Sequence, residues 1–161
     1  MRTVLYDRLN AVNYAKRWAF GRNPYYYNFD RLGGDCTNFV SQCLFAGSRT
    51  MNYTPVIGWY YNNLNDRTPS WTGVDFLYNF ITTNIGYGPF GKNVTPQKLE
   101  VGDVIFLSKN HNRHYHSLFV NRIENRSVFV CSHTIDNFDK NLFSYNFDYA
   151  DYIHIEGVNV R

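Results

Sequence analysis

Cys36 follows Gly33-Gly34-Asp35 and opens the run Thr37-Asn38-Phe39-Val40-Ser41-Gln42-Cys43-Leu44. Two glycines permit a sharp turn. Asp35 is a residue type that caps helices, accepting from the first exposed amides. Phe39, Val40, Cys43 and Leu44 recur at three-four spacing, so the run predicts a helix with one apolar face. Cys36 is then the first helical residue, where free N–H groups and the positive end of the helix dipole converge. Such a site favours the thiolate, the nucleophilic form of cysteine. Cys43, two turns further along the apolar stripe, reads as a core residue.

A cysteine nucleophile needs a base within reach, and the base needs an orienting partner. The chain offers His111, His114, His116, His133 and His154. His116 opens the run Ser117-Leu118-Phe119-Val120-Asn121-Arg122-Ile123, which predicts a strand. Alternation with Leu118 and Val120 would turn His116 toward the packed helices. Glu124-Asn125-Arg126 predicts a hairpin turn, and Ser127 to His133 the next strand. Adjacent strands lie about 5 Å apart, close enough for His133 to bond the His116 ring. Nucleophile Cys36, base His116 and orienter His133 form the first reading. Asp136 is the alternative third residue, with Asn137 and Asp139 also in competition. A second chemistry uses an overlapping set: His111, His114, His116, Cys131 and His133 could hold zinc. In that reading His114-Tyr115-His116 places two rings on one strand face. No carboxylate stands ready as its general base, and the expectation is no metal and no cofactor.

These residues need a scaffold of helices and strands. Tyr6 to Phe20 predicts a helix through Leu9, Val12, Ala15 and Ala19, ending near Gly21 with Pro24 beyond. Arg22 to Asp35 is a Tyr- and Asn-rich loop. The cysteine helix is expected to stop at Gly47, and Ser48 to Ser70 reads mostly as loop. Thr72 is positioned to cap a third helix over Gly73 to Asn84, its buried face formed by Phe76, Leu77, Phe80 and Ile81. Gly86, Gly88-Pro89 and Gly91 read as breakers. Leu99 to Leu107 and Tyr149 to Glu156 predict further strands. Helices followed by strands predict an α+β domain with helices packed on an antiparallel sheet.

The bulk properties narrow the function. A chain of 161 residues suits one domain, 1–161. The net charge of +3 is small and dispersed, so no nucleic-acid partner is expected. No apolar stretch reaches transmembrane length, and no signal-peptide pattern opens the chain. The reading is cytoplasmic as it stands, or secreted if this is a domain of a longer exported chain. Three cysteines imply no disulfide framework. The 14 Tyr and 3 Trp could present a glycan-binding surface, but none is spaced as a platform, which favours an aromatic core.

The chain resembles the "putative amidase domain" family, within the papain-like cysteine hydrolases that include NlpC-type cell-wall peptidases and CHAP amidases. The resemblance rests on Tyr6 to Ala15, Arg22-Asn-Pro-Tyr-Tyr26, Gly33 to Leu44, Gly102-Asp-Val-Ile105, His116 to Val120 and Ser132-His133-Thr134. It implies a papain-like fold whose catalytic cysteine heads a helix, with Cys36, His116 and His133 as the matching triad. It also implies hydrolysis of an amide through an acyl-enzyme, with a peptide or peptidoglycan-type substrate. The Cys36 amide would supply half of an oxyanion hole, and Tyr26, Tyr27 and Asn28 are candidates for the other half or for the pocket. A non-catalytic binding module on the same fold is the alternative of a different class.

Overall fold

A computed structural model describes all 161 residues, Met1–Arg161. The elements run β1 (Arg2–Val4), α1 (Arg8–Trp18), α2 (Cys36–Ser48), β2 (Tyr61–Asn63), β3 (Asp66–Arg67), α3 (Pro69–Thr72), α4 (Val74–Thr83), β4 (Gly88–Val94), β5 (Val104–Asn110), β6 (Arg113–Glu124), β7 (Ser127–Ser132), β8 (Asn137–Asn141) and β9 (Tyr149–Val160). The architecture is α+β. Seven strands form one antiparallel sheet in the order β1-β9-β5-β6-β7-β8, with β4 paired to β9.

The sheet has two different faces. Val104, Phe106, Phe119 and Cys131 point to the helices and join Ala11, Ala15, Phe39, Val40, Cys43, Leu44, Leu77 and Ile81 in the main core. Ile105, Leu107, Leu118, Val120, Val128 and Val130 point the other way, onto a smaller cluster with Leu99 and Leu142. Cys43 is therefore core, and burial pushes its thiol well above the ordinary range.

Helix α1 begins where Asp7 accepts from the Asn10 amide at 3.0 Å, a side-chain cap. Its buried face is Ala11, Ala15 and Ala19, whereas Leu9 is 71% exposed, against the expected stripe. Small alanines let α1 lie close to α2. The same closeness explains Gly47, which does not stop α2. A Cβ there would meet the Tyr6 ring at 2.4 Å and the Asp7 carbonyl at 2.7 Å. Helix α2 ends one residue later, at Ser48, and is capped by left-handed Arg49 (φ 52°).

Other departures are local. The third helix forms as expected over Val74–Thr83, but its N-cap is Gly73 and Thr72 closes the separate short α3, and Phe76 is 60% exposed rather than buried. The 48–70 region contains the small β2–β3 hairpin. The breaker-rich segment after Gly86 forms β4, whose Gly91 lies so close to β9 that a Cβ would sit 2.4 Å from the His154 carbonyl oxygen. The β6–β7 hairpin matches its prediction, with Asn125 and Arg126 both at positive φ between paired Glu124 and Ser127. That pattern suits the right-handed twist of the strands.

Candidate active site

Cys36 is the first residue of α2 and is buried. Its thiol contacts Thr37 Oγ1 at 3.7 Å, and Thr37 Oγ1 in turn lies 3.1 Å from Ser117 Oγ on β6. Burial pushes the thiol pKa up. A hydrogen bond from His116, the His116 charge, and the backbone and hydroxyl of Ser117 outweigh that burial. The net result is a pKa lowered from 9.0 to about 7. The other two thiols, Cys43 and Cys131, are both raised by burial. Only Cys36 is electrostatically prepared to be a thiolate.

His116 bonds the Cys36 thiol from β6, which is irregular just before it. The register steps from Leu107↔His116 to Ser108↔His114, so Tyr115 is an extra residue on β6. Such a bulge re-aims neighbouring side chains. His114 falls on the helix side, against Tyr78 and Phe106. Its ring is held between Asp75 and Asp151, at 2.7 Å each. His116 shares the register of Leu107, and its ring lies 5.9 Å from that of Tyr145. Its alternation with Leu118 and Val120 thus leads away from the helices, opposite to expectation.

His133 is not where an orienter must be. Its Nδ1 is 2.5 Å from Asp35 Oδ2 and its Nε2 donates to the Trp18 carbonyl at 2.8 Å. Its ring stacks on Phe39 at 4.0 Å. A carbonyl only accepts, so Nε2 carries a proton and Nδ1 is committed to the carboxylate. Neither nitrogen is left for His116. Strand proximity alone suggested the His116–His133 bond, but the ring turns to the helix side and pairs across 98 residues with Asp35. Asp136 is likewise engaged, gripped by Arg22 at 2.8 and 2.9 Å. Asp139 takes bonds from Asn121 and Arg122. Asn137 differs. Its amide NH2 reaches Ser132, Ile135 and Tyr145, while its buried Oδ1 has no partner.

Asp35 itself departs from prediction. It stands at the N-cap position of α2 but makes no cap bond. Its carboxylate accepts instead from the Phe29 amide (2.8 Å), the Asn38 side chain (2.9 Å) and His133. The first-turn amides of Cys36 and Thr37, which precede any intrahelical acceptor, are therefore not capped. These are the donors an oxyanion hole uses.

The other oxyanion candidates fare unevenly. Tyr26 is a core residue packed among Tyr61 and Trp71. The Tyr27 amide is used by the Tyr61 hydroxyl at 2.8 Å, and its carbonyl accepts from Asn38. Asn28 is exposed; its side-chain oxygen takes the Asp30 amide and its NH2 group bonds the Asp30 carboxylate. The zinc set is dispersed. His111 lies on Tyr149, His114 between two aspartates, His116 at Cys36, Cys131 in the core and His133 on Asp35. No group of three or more His, Cys, Asp or Glu is arranged to hold a metal ion.

Sequence reasoning missed Ser117, the Trp18 carbonyl and the partner of Asp35. Only Ser117, adjacent to His116, carried a local signal.

A helix-borne thiol set against a strand-borne imidazole defines a cysteine-centred site on an α+β scaffold. The chain belongs to the family described as "Putative amidase domain", which matches residues 5–155. That description points to amide hydrolysis. The protein YhbB of Bacillus subtilis (strain 168), described as uncharacterized, is 35% identical over 106 residues. The match covers 65% of this chain and 33% of YhbB, so the chain spans about a third of that relative's length. No solved structure matches. No helix is long and apolar enough to cross a membrane.

Proposed function

We propose that this protein is a cysteine amidase or peptidase of papain-like mechanism. The Cys36 thiolate attacks the carbonyl carbon of an amide. The oxyanion formed is received by the Cys36 and Thr37 amides, with Asn28 as a further donor. His116 gives its proton to the leaving amine as the C–N bond breaks, leaving an acyl-enzyme. His116 then takes a proton from water, which attacks the thioester and releases the acid and the thiol.

The carrying observation is the Cys36 thiol brought to about 7 by His116 at an uncapped helix start. The third group we assign to Asn137. Of the four competitors it alone has a buried acceptor without a partner, and its amide bonds the Tyr145 hydroxyl at 2.8 Å, beside the His116 ring. Catalytic hydrogen bonds often close only with substrate bound. A groove past Tyr115, the neighbour of His116, is lined by Phe76, Lys109, Arg113 and His114, and by Asp75, whose carboxylate is taken up by His114. Two cations there suit a peptide bearing carboxylates, as peptidoglycan stem peptides do.

The test is hydrolysis of a muropeptide panel by the purified protein, with amine release followed by mass. Cys36→Ala abolishes turnover, and His116→Ala lowers it by about 10²–10⁴-fold. Asn137→Ala gives a smaller loss in kcat with little change in KM. Turnover that survives Cys36→Ala on a substrate the wild type cuts rules out the cysteine mechanism.

A further inference from the structure

His133 does not orient His116, yet it lies buried against the residue preceding the nucleophile. We infer that His133 is a positioning residue that acts on Cys36 through Asp35, holding the carboxylate off the first turn of α2 and balancing its charge. The inference rests on the reading of Cys36 as nucleophile.

An aspartate at an N-cap ordinarily turns its carboxylate onto the first free amides. Here that would occupy the donors a substrate carbonyl needs, and would bring a negative charge to the thiolate. The structure prevents both. Asp35 Oδ1 is drawn back by the Phe29 amide and the Asn38 side chain, and Oδ2 by His133. Arg22 Nε stands 3.5 Å from Oδ2 and adds a positive group from the loop after α1. His133 is itself fixed by the Trp18 carbonyl and the Phe39 ring. The side chains of Asp35 and His133 are 0% and 1% exposed, so no solvent screens the pair. The groups facing Cys36 are then His116 and Ser117 from β6, with Asp35 turned away beneath it. The uncapped helix start thus follows from the bonds that hold both Asp35 oxygens, with His133 holding Oδ2.

Without His133 the carboxylate loses its principal partner and swings toward the Cys36 and Thr37 amides. The thiolate is then disfavoured by a nearby like charge and by loss of its amide field. The experiment measures iodoacetamide labelling of Cys36 against pH, mapped by mass, in otherwise intact protein. His133→Ala raises the labelling midpoint by about one pH unit. Asp35→Asn in the His133→Ala background removes the offending charge and returns the midpoint to within a few tenths of wild type. A merely structural role would not be reversed by a second substitution. Where His133→Ala fails to fold, His133→Gln serves, keeping a neutral donor to Asp35 and giving a smaller rise that Asp35→Asn again reverses. A midpoint unmoved in the folded His133 variant, or still raised in the double variant, overturns the inference. His116→Ala is the separate control. If it leaves the midpoint unchanged, the Cys36–His116 reading fails, whatever His133 does.

Discussion

Asp35 and Asp103 are both wholly buried, and each follows a glycine in the left-handed region, Gly34 at φ 96° and Gly102 at φ 92°. Each accepts from backbone, from a histidine and from the neighbourhood of an arginine. Asp103 takes the Glu100 and Ile155 amides at 2.8 and 3.0 Å, Arg8 at 2.7 Å and His154 at 3.0 Å. Asp35 takes the Phe29 amide, Asn38 and His133, with Arg22 more distant. The same chemical unit thus occurs twice. One copy ties α1 to the start of β5 and to β9. The other lies at the opposite end of α2, about 20 Å away at 1.5 Å per helical residue. What separates them is the next residue, Val104 in one case and Cys36 in the other. A buried Asp–His–Arg cluster is a staple by default. It becomes part of a site when a reactive group depends on where its carboxylate points.

The largest effect expected concerns the staple. Asp103→Ala strands two backbone amides and takes the buried carboxylate from Arg8, and breaking a buried pair on one side costs about 3–5 kcal/mol. Urea unfolding measures it. The Cys36 labelling midpoint in the folded fraction stays at its wild-type value, because Asp103 is remote from the thiol. A shift as large as that of His133→Ala would erase the distinction between the two clusters.

The arginines come next. Arg8 also donates to the Val101 and Ile155 carbonyls, at 2.9 and 2.6 Å. Arg8→Ala is expected to cost about 2 kcal/mol, in the range for hydrogen bonds from charged groups. Arg22 bridges Asp30 and Asp136 at a partly exposed site, and Arg22→Ala costs about 1 kcal/mol. The ordering reverses in the labelling assay, where Arg22→Ala raises the Cys36 midpoint slightly and Arg8→Ala does not.

The pH dependence has a definite sign. The thiol pKa is lowered from 9.0 to about 7 in the folded chain. Thiolate is therefore lost as pH falls through about 7, and labelling and hydrolysis both decline on that acid limb. The associated stability is fully present above pH 9 and is lost as pH falls to 7. A labelling midpoint near 9 would mean that His116 does not act on Cys36.

Much of this arrangement was legible in the sequence. The Gly-Gly-Asp-Cys start, the apolar stripe behind it and the two-residue hairpin at Asn125-Arg126 are local patterns, and α2 and β6–β7 follow them. Strands β4 and β8 lack such a signal, since Gly88 to Val94 and Asn137 to Asn141 are short and largely polar or glycine-bearing. They form because β9 and β7 offer edges. The bulge at Tyr115 was equally silent: one inserted residue puts His114 on the helix side, while His116 keeps the face of Leu118 and Val120, which belongs to the second core. The Asp35–His133 bond spans 98 residues. Spacing carries no information about such a pairing, whereas strand adjacency suggested a shorter and wrong partner. Types at chemically plausible positions could be read, but which acceptor each donor meets depends on tertiary packing.

The smallest effects separate the two glycines. Both hold a left-handed backbone, which costs an L-residue about 1–2 kcal/mol. A Cβ on Gly34 would meet Thr134 Oγ1 at 3.6 Å, ordinary contact. A Cβ on Gly102 would meet the Tyr6 ring at 3.3 Å and Arg8 side-chain carbons at 3.4 Å, closer than most such contacts. Gly34→Ala therefore shows the backbone cost of about 1 kcal/mol and little more. Gly102→Ala adds the displacement of Tyr6 and Arg8, and falls nearer 2 kcal/mol in urea unfolding. The active-site glycine is then the more tolerant of the two in stability, because the Asp35 cluster is open on the side of Thr134 while the Asp103 cluster is closed by α1. Equal losses would mean that both turns are limited by backbone alone, and that the tighter packing around Asp103 contributes nothing measurable.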